Sequence, residues 1–339
     1  MTEPLRRRSS LAWETPLREL LRDRTPNASF FVRDHARTVP RIAEAEYRLV
    51  VAGANGEQVL TLADLRAMPR VSRVVTLACS GNGRSGFEPR PPGVPWGFGA
   101  ISTAEWEGVR LRDVLERAGI GERDAHVVCD GYDEAPDAER PPFRRSLPLE
   151  RALGEGTILA DTMNAEPLPA EHGGPVRLLV GGWSANHSVK WLRRIALSER
   201  PDEGHWMTAD YRVPDRVTGE MRTIEAAAPM AIIAAPESGA VCGHEVDVQG
   251  VAYGQPAPAL VRVEVDGAHA GDVVVRYEDG PYAWGRWSLP LELRPGPHRI
   301  AVRPVDRQGN AGPEQPTWNS GGYCYDGPHA IRVEVGTAR

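Results

Sequence analysis

Lysine is almost missing from this chain: of 40 basic side chains one is lysine, Lys190, and the rest are arginine. Cysteine is sparse as well. Cys79, Cys129, Cys242 and Cys324 lie far apart and form no CxxC pair, which excludes a zinc ribbon and a disulfide framework. The nine histidines contain no HxxxH or HxH pattern, which argues against a histidine-built zinc or iron site. GxSxG is absent, which weakens a hydrolase reading. No run approaches the roughly 18 apolar residues of a membrane span. Arg6-Arg7-Arg8 opens like a basic leader, but Ser9, Ser10, Trp13, Glu14, Arg18 and Glu19 interrupt any apolar stretch. An export signal needs about 7–15 apolar residues there. The expectation is a soluble, cytoplasmic protein without a membrane partner. Carboxylates number 46 and the net charge is −6, which excludes a basic nucleic-acid binder.

What is present describes a folded, loop-rich protein. With 41% hydrophobic and 25% charged residues the chain is not disordered. Its 339 residues suggest about two domains. The 30 prolines and 35 glycines, scattered throughout, point to short elements and many loops rather than a helical bundle. Residues 1–29 read as a polar, Arg-rich arm or short helices. Ala45 to Val51 and Gln58 to Leu62 are β-rich runs around Gly53-Ala-Asn-Gly56, a hairpin signal. Leu62 to Met68 predicts a short helix stopped by Pro69, and Val71 to Ala78 a buried strand. The apolar spacing of Val109, Leu111, Val114 and Leu115 predicts a helix over Val109 to Ala118, capped by Gly119. Further strands are expected at Ala125 to Cys129 and Val176 to Val180. From Met230 onward apolar residues alternate at period two, as in Val261, Val263, Val265 and Ile331, Val333, Val335. That pattern predicts an antiparallel β-sandwich. The expected organisation is an arm at 1–29, an α+β catalytic domain at 30–222 and an all-β domain at 223–339.

Four segments carry candidate chemistry. The strand ending at Cys79 runs into Ser80-Gly-Asn-Gly-Arg-Ser-Gly86, whose glycines match GxGxxG. A dinucleotide site needs a helix after that loop, and Pro89, Pro91, Pro92 and Pro95 forbid one. Cys79 is therefore a soft metal ligand, a nucleophile, or a buried small hydrophobe. His172-Gly-Gly-Pro-Val-Arg177, followed by Gly181 to Trp191, offers turn amides, a His, an Arg and the lone lysine. It suits an oxyanion-rich ligand or is an ordinary loop. A lysine kept where every other base is arginine suggests that a compact ammonium is required at position 190. Phe30-Phe31-Val-Arg-Asp-His35 suits a planar, anionic heterocycle or is an aromatic edge. Gly204 to Tyr211 offers Tyr211 as a proton donor or as an interface aromatic.

In this order the segments resemble the sulfite oxidase family of molybdenum enzymes. Phe31-Val-Arg-Asp-His35 looks like that family's FxRNH segment, Cys79-Ser-Gly-Asn-Gly-Arg84 like CAGNRR, and Trp96 to Thr103 like W-x-x-GAIST. His172 to Arg177, Val189-Lys-Trp-Leu192 and His205 to Tyr211 continue the likeness, and the β-sandwich resembles the family's immunoglobulin-like dimerisation domain. The resemblance implies a molybdopterin holding one molybdenum, with Cys79 as the protein's thiolate on the metal. It places Phe31, Val32, Arg33, Asp34, His35, Asp133, His172, Arg177, Ser188, Val189 and Lys190 around the pterin. Arg33, Arg84, Trp96 and Tyr211 would face the substrate. The implied activity is oxidation of sulfite, with electrons leaving to a separate acceptor and the chain working as a homodimer.

Two departures qualify the substrate. Gly83 stands where the family loop carries an arginine, and Gly321, in Trp318-Asn-Ser-Gly-Gly-Tyr323, replaces another. A charge-assisted hydrogen bond contributes about 1.5–3 kcal/mol, so losing two cations weakens the hold on a doubly charged anion. The alternatives are therefore a molybdopterin-dependent reductase of a sulfoxide, N-oxide or nitrate, and a binding or scaffold protein whose metal site has decayed.

Overall fold

The computed structural model describes residues 5–9 and 11–336, so residues 1–4 and 10 of the expected arm lie outside the described residues. The chain forms two compact units, neither continuous in sequence. One, the α+β unit, comprises residues 32–79 and 104–225. The other, the sandwich-bearing unit, collects residues 1–31, 80–103 and 226–339.

The α+β unit is built on two sheets. In one, the central strand Leu192–Ser198 runs parallel to Arg48–Gly53 and antiparallel to His126–Gly131. Gly56–Thr61 and Arg144–Pro148 form its edges. The hairpin expected at Gly53 to Gly56 is present, with those two glycines paired across the turn. The other sheet sets Thr157–Met163 between Ile101–Arg110 and the strands Glu166–Pro167 and Arg177–Val180, with Arg70–Ala78 beyond Ile101–Arg110. Leu49, Val51, Leu60, Val109, Val127, Leu178, Val180 and Ile195 from these strands share one buried cluster. The helix Leu111–Ala118 seals it by burying Leu111, Val114, Leu115 and Ala118, the spacing of one helical face. Val109 and Arg110, expected in that helix, extend the preceding strand instead, because they pair with Leu159 and Ile158. The short helix Leu62–Arg66 starts where Thr61 and Asp64 close a capping box, each side chain meeting the other's backbone N–H.

In the sandwich-bearing unit, period-two alternation becomes two sheets. Met230–Ala235, Glu245–Tyr253 and Gly285–Glu292 form one. Val241–Cys242, His329–Val335, Gly296–Val305, Leu260–Val265 and Ala268–Val274 form the other. Ile233, Val246, Val248 and Trp287 from the first pack with Val261, Val263, Ile300, Val302, Ile331 and Val333 from the second. This is the sandwich the alternation predicts. The segment preceding residue 30 is less of an arm than its composition suggests. It pairs Arg6–Ser9 with Ala12–Glu14, and it buries Ala12, Leu20 and Thr25 completely. No helix among the described residues is long and apolar enough to cross a membrane.

Candidate functional site

In the α+β unit the ends of neighbouring strands bring the chemistry together. Lys190 stands just before the central strand Leu192–Ser198, and Asp133 just after its partner His126–Gly131. The antiparallel register pairs Leu192 with Gly131, so the two residues come to the same edge. A side chain at Gly131 would meet Asp133 Oδ1 at 2.4 Å and the Lys190 carbonyl at 2.5 Å, which is why this position is bare. Lys190 Nζ is ion-paired with Asp34 Oδ1 and donates to the Glu171 carbonyl at 2.6 Å. Gly173, in left-handed backbone at φ 103°, lets the lysine pass, since a Cβ there would lie 2.9 Å from the lysine Cβ and Cγ.

Arg177 begins the strand Arg177–Val180 and is almost wholly buried. It donates through Nη1 to the His172 carbonyl (2.8 Å) and through Nη2 to the Ser188 carbonyl (2.9 Å). Ser188 Oγ accepts from the Val180 N–H, and Val189 is fully buried behind it. His172 is buried at the turn that opens this loop. Burial pulls Arg177 down to about 9, with only Asp34 opposing it. Burial also lowers Lys190, with Asp34 holding it up and Arg177 and Arg33 pushing it further down. Asp133 is raised to about 6, chiefly by burial and secondarily by Asp34.

These groups do not balance. Arg177, Lys190 and Arg33, three cations, share a region with two carboxylates, Asp34 and Asp133. Two buried polar atoms, Arg177 Nε and Asp34 Oδ2, have no hydrogen-bond partner. A buried cation short of negative charge costs several kcal/mol. A bound oxyanion with acceptor oxygens would relieve that cost. The donor set therefore fits an oxyanion-bearing ligand.

Beside this cluster lies a second arrangement. Arg33 Nη2 meets His35 Nδ1 at 3.1 Å, and His35 Nε2 is hydrogen-bonded to the Tyr211 hydroxyl. The imidazole stacks on Phe143 at 5.4 Å and leans on Trp206 at 4.7 Å. Burial, reinforced by Arg33, Arg140, Lys190 and His205, holds His35 well below the usual histidine range, so it is neutral. Tyr211 and Trp191 adopt left-handed backbone at φ 57° and 47°, where bulky residues are outliers that concentrate at functional sites. Arg145, fully buried, places its guanidinium 5.5 Å from the Tyr211 ring centroid and approaches His187 Nε2 at 2.9 Å. Sequence reasoning missed Arg145. As one of two adjacent arginines in a strand, one had to face inward, but nothing in the pattern said toward what.

Cys79 follows the strand Arg70–Ala78 as a half-buried free thiol. Among the described residues no group of three or more His, Cys, Asp or Glu could hold a metal ion, so the side chains alone build no metal cage. One thiolate suits a metal whose other ligands come from a cofactor.

The remaining candidates belong to the sandwich-bearing unit. Phe31 stacks on Phe30 with centroids 5.5 Å apart, and Trp96 is buried. Arg84 donates through Nε, Nη1 and Nη2 to the carbonyls of Gly322, Val94 and Gly321 at 3.1, 3.1 and 3.0 Å. The GxGxxG glycines serve packing here. A Cβ on Gly81 would strike the Arg84 guanidinium at 2.8 Å, and one on Gly83 or Gly86 would strike the Tyr325 ring at 2.9 or 2.7 Å. A single 3-10 turn, Arg84–Gly86, follows the loop, as the prolines require. Gly321 is likewise covered, by the ring of Tyr323 at 2.6 Å.

Residues 35–206 match the family model described as oxidoreductase molybdopterin binding domain. The sulfite oxidase of Gallus gallus is 37% identical over 333 residues, covering 90% of this chain and 72% of that protein. The chain belongs to the sulfite-oxidase-related family of molybdopterin-binding oxidoreductases. Human mitochondrial sulfite oxidase is 35% identical over 92% of the chain, and the chain spans 62% of its length. The sulfane dehydrogenase SoxCD of Paracoccus pantotrophus shares the fold, with a TM-score of 0.81 over 98% of this chain and 88% of that one at 24% identity. The family corrects one expectation. Its relatives include mitochondrial proteins, which points away from a cytoplasmic location. The physical reason is that the lack of an apolar leader bears on export alone and does not decide among the other compartments.

Proposed function

We propose that this chain is a molybdenum-dependent oxygen-atom-transfer enzyme that oxidises sulfite and passes electrons to a separate acceptor. The observation that carries the reading is the buried excess of positive charge around Arg177 and Lys190, with Arg177 Nε left without a partner. Asp34, Asp133, His172, Arg177, Ser188, Val189 and Lys190 would hold the pterin and its phosphate, with Phe31, Val32, Arg33 and His35 contributing. Cys79 would supply the protein thiolate to the metal. When bound, the cofactor supplies the molybdenum at which the oxygen atom and two electrons are exchanged. The protein's own part is binding and proton handling. Arg33 offers a charged fork to the substrate oxyanion, and the Tyr211 hydroxyl, fixed by His35, donates a hydrogen bond to it. Family likeness assigns Arg84 and Trp96 to the substrate as well. By the same likeness the working unit is a homodimer, which light scattering at micromolar concentration tests directly.

The decisive experiment is metal analysis with steady-state assays on protein made in a cofactor-competent host. About one molybdenum per chain and turnover of sulfite with an artificial electron acceptor are expected. Well below one molybdenum per chain would leave the scaffold reading standing. Cys79→Ser should abolish turnover with the fold intact by circular dichroism, and a fully active variant would refute the ligand assignment. A second reading, reduction of a sulfoxide, N-oxide or nitrate, is favoured by Gly83 and Gly321. Rings of Tyr325 and Tyr323 cover these positions, where the family likeness calls for arginine, leaving fewer cations for a dianion. Turnover of such substrates with a reduced dye, and none of sulfite, would select it.

A further inference from the structure

The hydrogen bonds around His35 have a direction that its ring alone does not reveal. A guanidinium can only donate, so the Arg33 Nη2 contact at 3.1 Å makes His35 Nδ1 an acceptor. The ring is neutral, so its single proton sits on Nε2. That nitrogen is hydrogen-bonded to Tyr211 Oη, so the imidazole donates and the phenol oxygen accepts. The hydroxyl's own proton is then directed away from His35.

We propose that Arg33 fixes the Nε2–H tautomer of His35, and that His35 acts as a positioning residue which turns the Tyr211 hydroxyl into a donor toward the substrate. The geometry around the ring supports this arrangement. Phe143 lies parallel to the imidazole (9°) and Tyr211 meets it edge-on (89°), so the ring plane is fixed by packing on both sides. Burial and the neighbouring cations keep the second proton off. Were the tautomer reversed, two donors would face each other at Nδ1, and Tyr211 would have to spend its proton on the histidine. The functional consequence rests on the reading of Tyr211 as a substrate-facing group, whereas the tautomer does not.

The tautomer can be read in cofactor-free protein by long-range proton–nitrogen NMR of nitrogen-15-labelled histidine at pH 7. His35 is assigned by the signals lost in His35→Gln. A protonated Nε2 and an unprotonated Nδ1 are expected, and Arg33→Ala should shift Nδ1 or mix the tautomers. A proton on Nδ1, a doubly protonated ring, or a spectrum unmoved by Arg33→Ala overturns the proposal. In the loaded enzyme, His35→Gln keeps an N–H donor and should hold kcat within about tenfold. His35→Leu should lower kcat per bound molybdenum by about 10²-fold or more at unchanged KM, the scale of losing an aligned proton donor. Equal loss in both variants overturns the positioning role. The two failures separate cleanly. A wrong tautomer beside an inactive Tyr211→Phe variant overturns this inference alone. The expected tautomer beside a fully active Tyr211→Phe variant overturns the role of Tyr211 instead.

Discussion

Two arginines, one in each unit, show how differently the same side chain is used. Arg262, in the sandwich-bearing unit, is half-exposed and gripped by Asp272 through two hydrogen bonds of 3.0 and 2.9 Å. That carboxylate lifts it above the ordinary arginine range. Arg177, in the α+β unit, is buried against backbone carbonyls and is pulled down to about 9. An arginine with its own carboxylate is finished. One held by neutral carbonyls keeps its charge at a cost that an arriving anion relieves. Arg84 is intermediate, buried against three carbonyls with the Tyr323 ring 5.1 Å beneath it. The contrast teaches that the count of buried cations against buried carboxylates, more than any motif, marks the ligand region.

The comparison is broken most directly at Arg177. Arg177→Met should cut cofactor retention by about 10–100-fold, the equivalent of one charge-assisted hydrogen bond. The cofactor-free variant should at the same time be about as stable as the parent, because the loss of a buried charge offsets the loss of its hydrogen bonds to the His172 and Ser188 carbonyls. Arg262→Met should do the reverse, costing at most about 1 kcal/mol and leaving molybdenum content unchanged. Metal analysis and urea denaturation of the two variants check both halves. A cofactor-free Arg177→Met protein that is strongly destabilised would make Arg177 a structural residue like its counterpart.

Lys190→Arg sharpens the same point without changing charge. The ammonium is held by Asp34 and the Glu171 carbonyl while the lysine stem passes Gly173, and arginine's planar fork does not reproduce that point contact. Cofactor retention should fall by about tenfold, whereas normal molybdenum content would show that the lone lysine is compositional chance. In the other unit, Gly83→Arg restores the cation that family likeness calls for, yet it should fail. The position has φ 83° and its Cβ would sit 2.9 Å from Tyr325, so a loss of about 1–3 kcal/mol is expected from overpacking alone. Combining it with Tyr325→Ala should recover part of that loss. If Gly83→Arg by itself keeps full thermal stability, the ring does not exclude the arginine.

Much of this was legible where a single period governs the chain. Val261, Val263, Ile331 and Val333 alternate, and the sandwich follows. Leu111, Val114, Leu115 and Ala118 share a helical face, and the helix follows. Val109 obeys the same spacing but pairs with Leu159, because a strand partner supplied by distant sequence outweighs local pattern. Ala12 and Leu20 were unreadable as core for a related reason, since what buries them is remote in sequence. At the site, composition singled out Lys190 and residue type put Asp34 and Arg177 in candidate segments, but the meeting of Lys190 with Asp133 depends on the register of Leu192 with Gly131, which local pattern does not show. The direction of the Arg33, His35 and Tyr211 hydrogen bonds needed atoms, not letters.

Histidine extends the comparison at the smallest scale. In the α+β unit both nitrogens of His35 have polar partners. In the sandwich-bearing unit, buried His329 accepts the Ile233 N–H through Nδ1 at 2.9 Å and packs on Phe98 at 4.1 Å. Burial alone lowers His329 to about 3, against an ordinary value of 6.5. A histidine lowered in the folded state binds fewer protons than the unfolded chain, so its contribution is complete above pH 6.5 and is lost as pH falls below it. The loss is about 1.4 kcal/mol per pH unit, or about 2 kcal/mol by pH 5. His35 and His187 carry the same sign, so the parent should lose more than one histidine's share. His329→Asn keeps an acceptor for the Ile233 N–H and removes the titration. Urea denaturation at pH 7 and pH 5 should show the variant losing about 2 kcal/mol less than the parent over that interval. An identical loss in both would mean that His329 is already protonated in the fold, and that the two units do not hold their histidines alike.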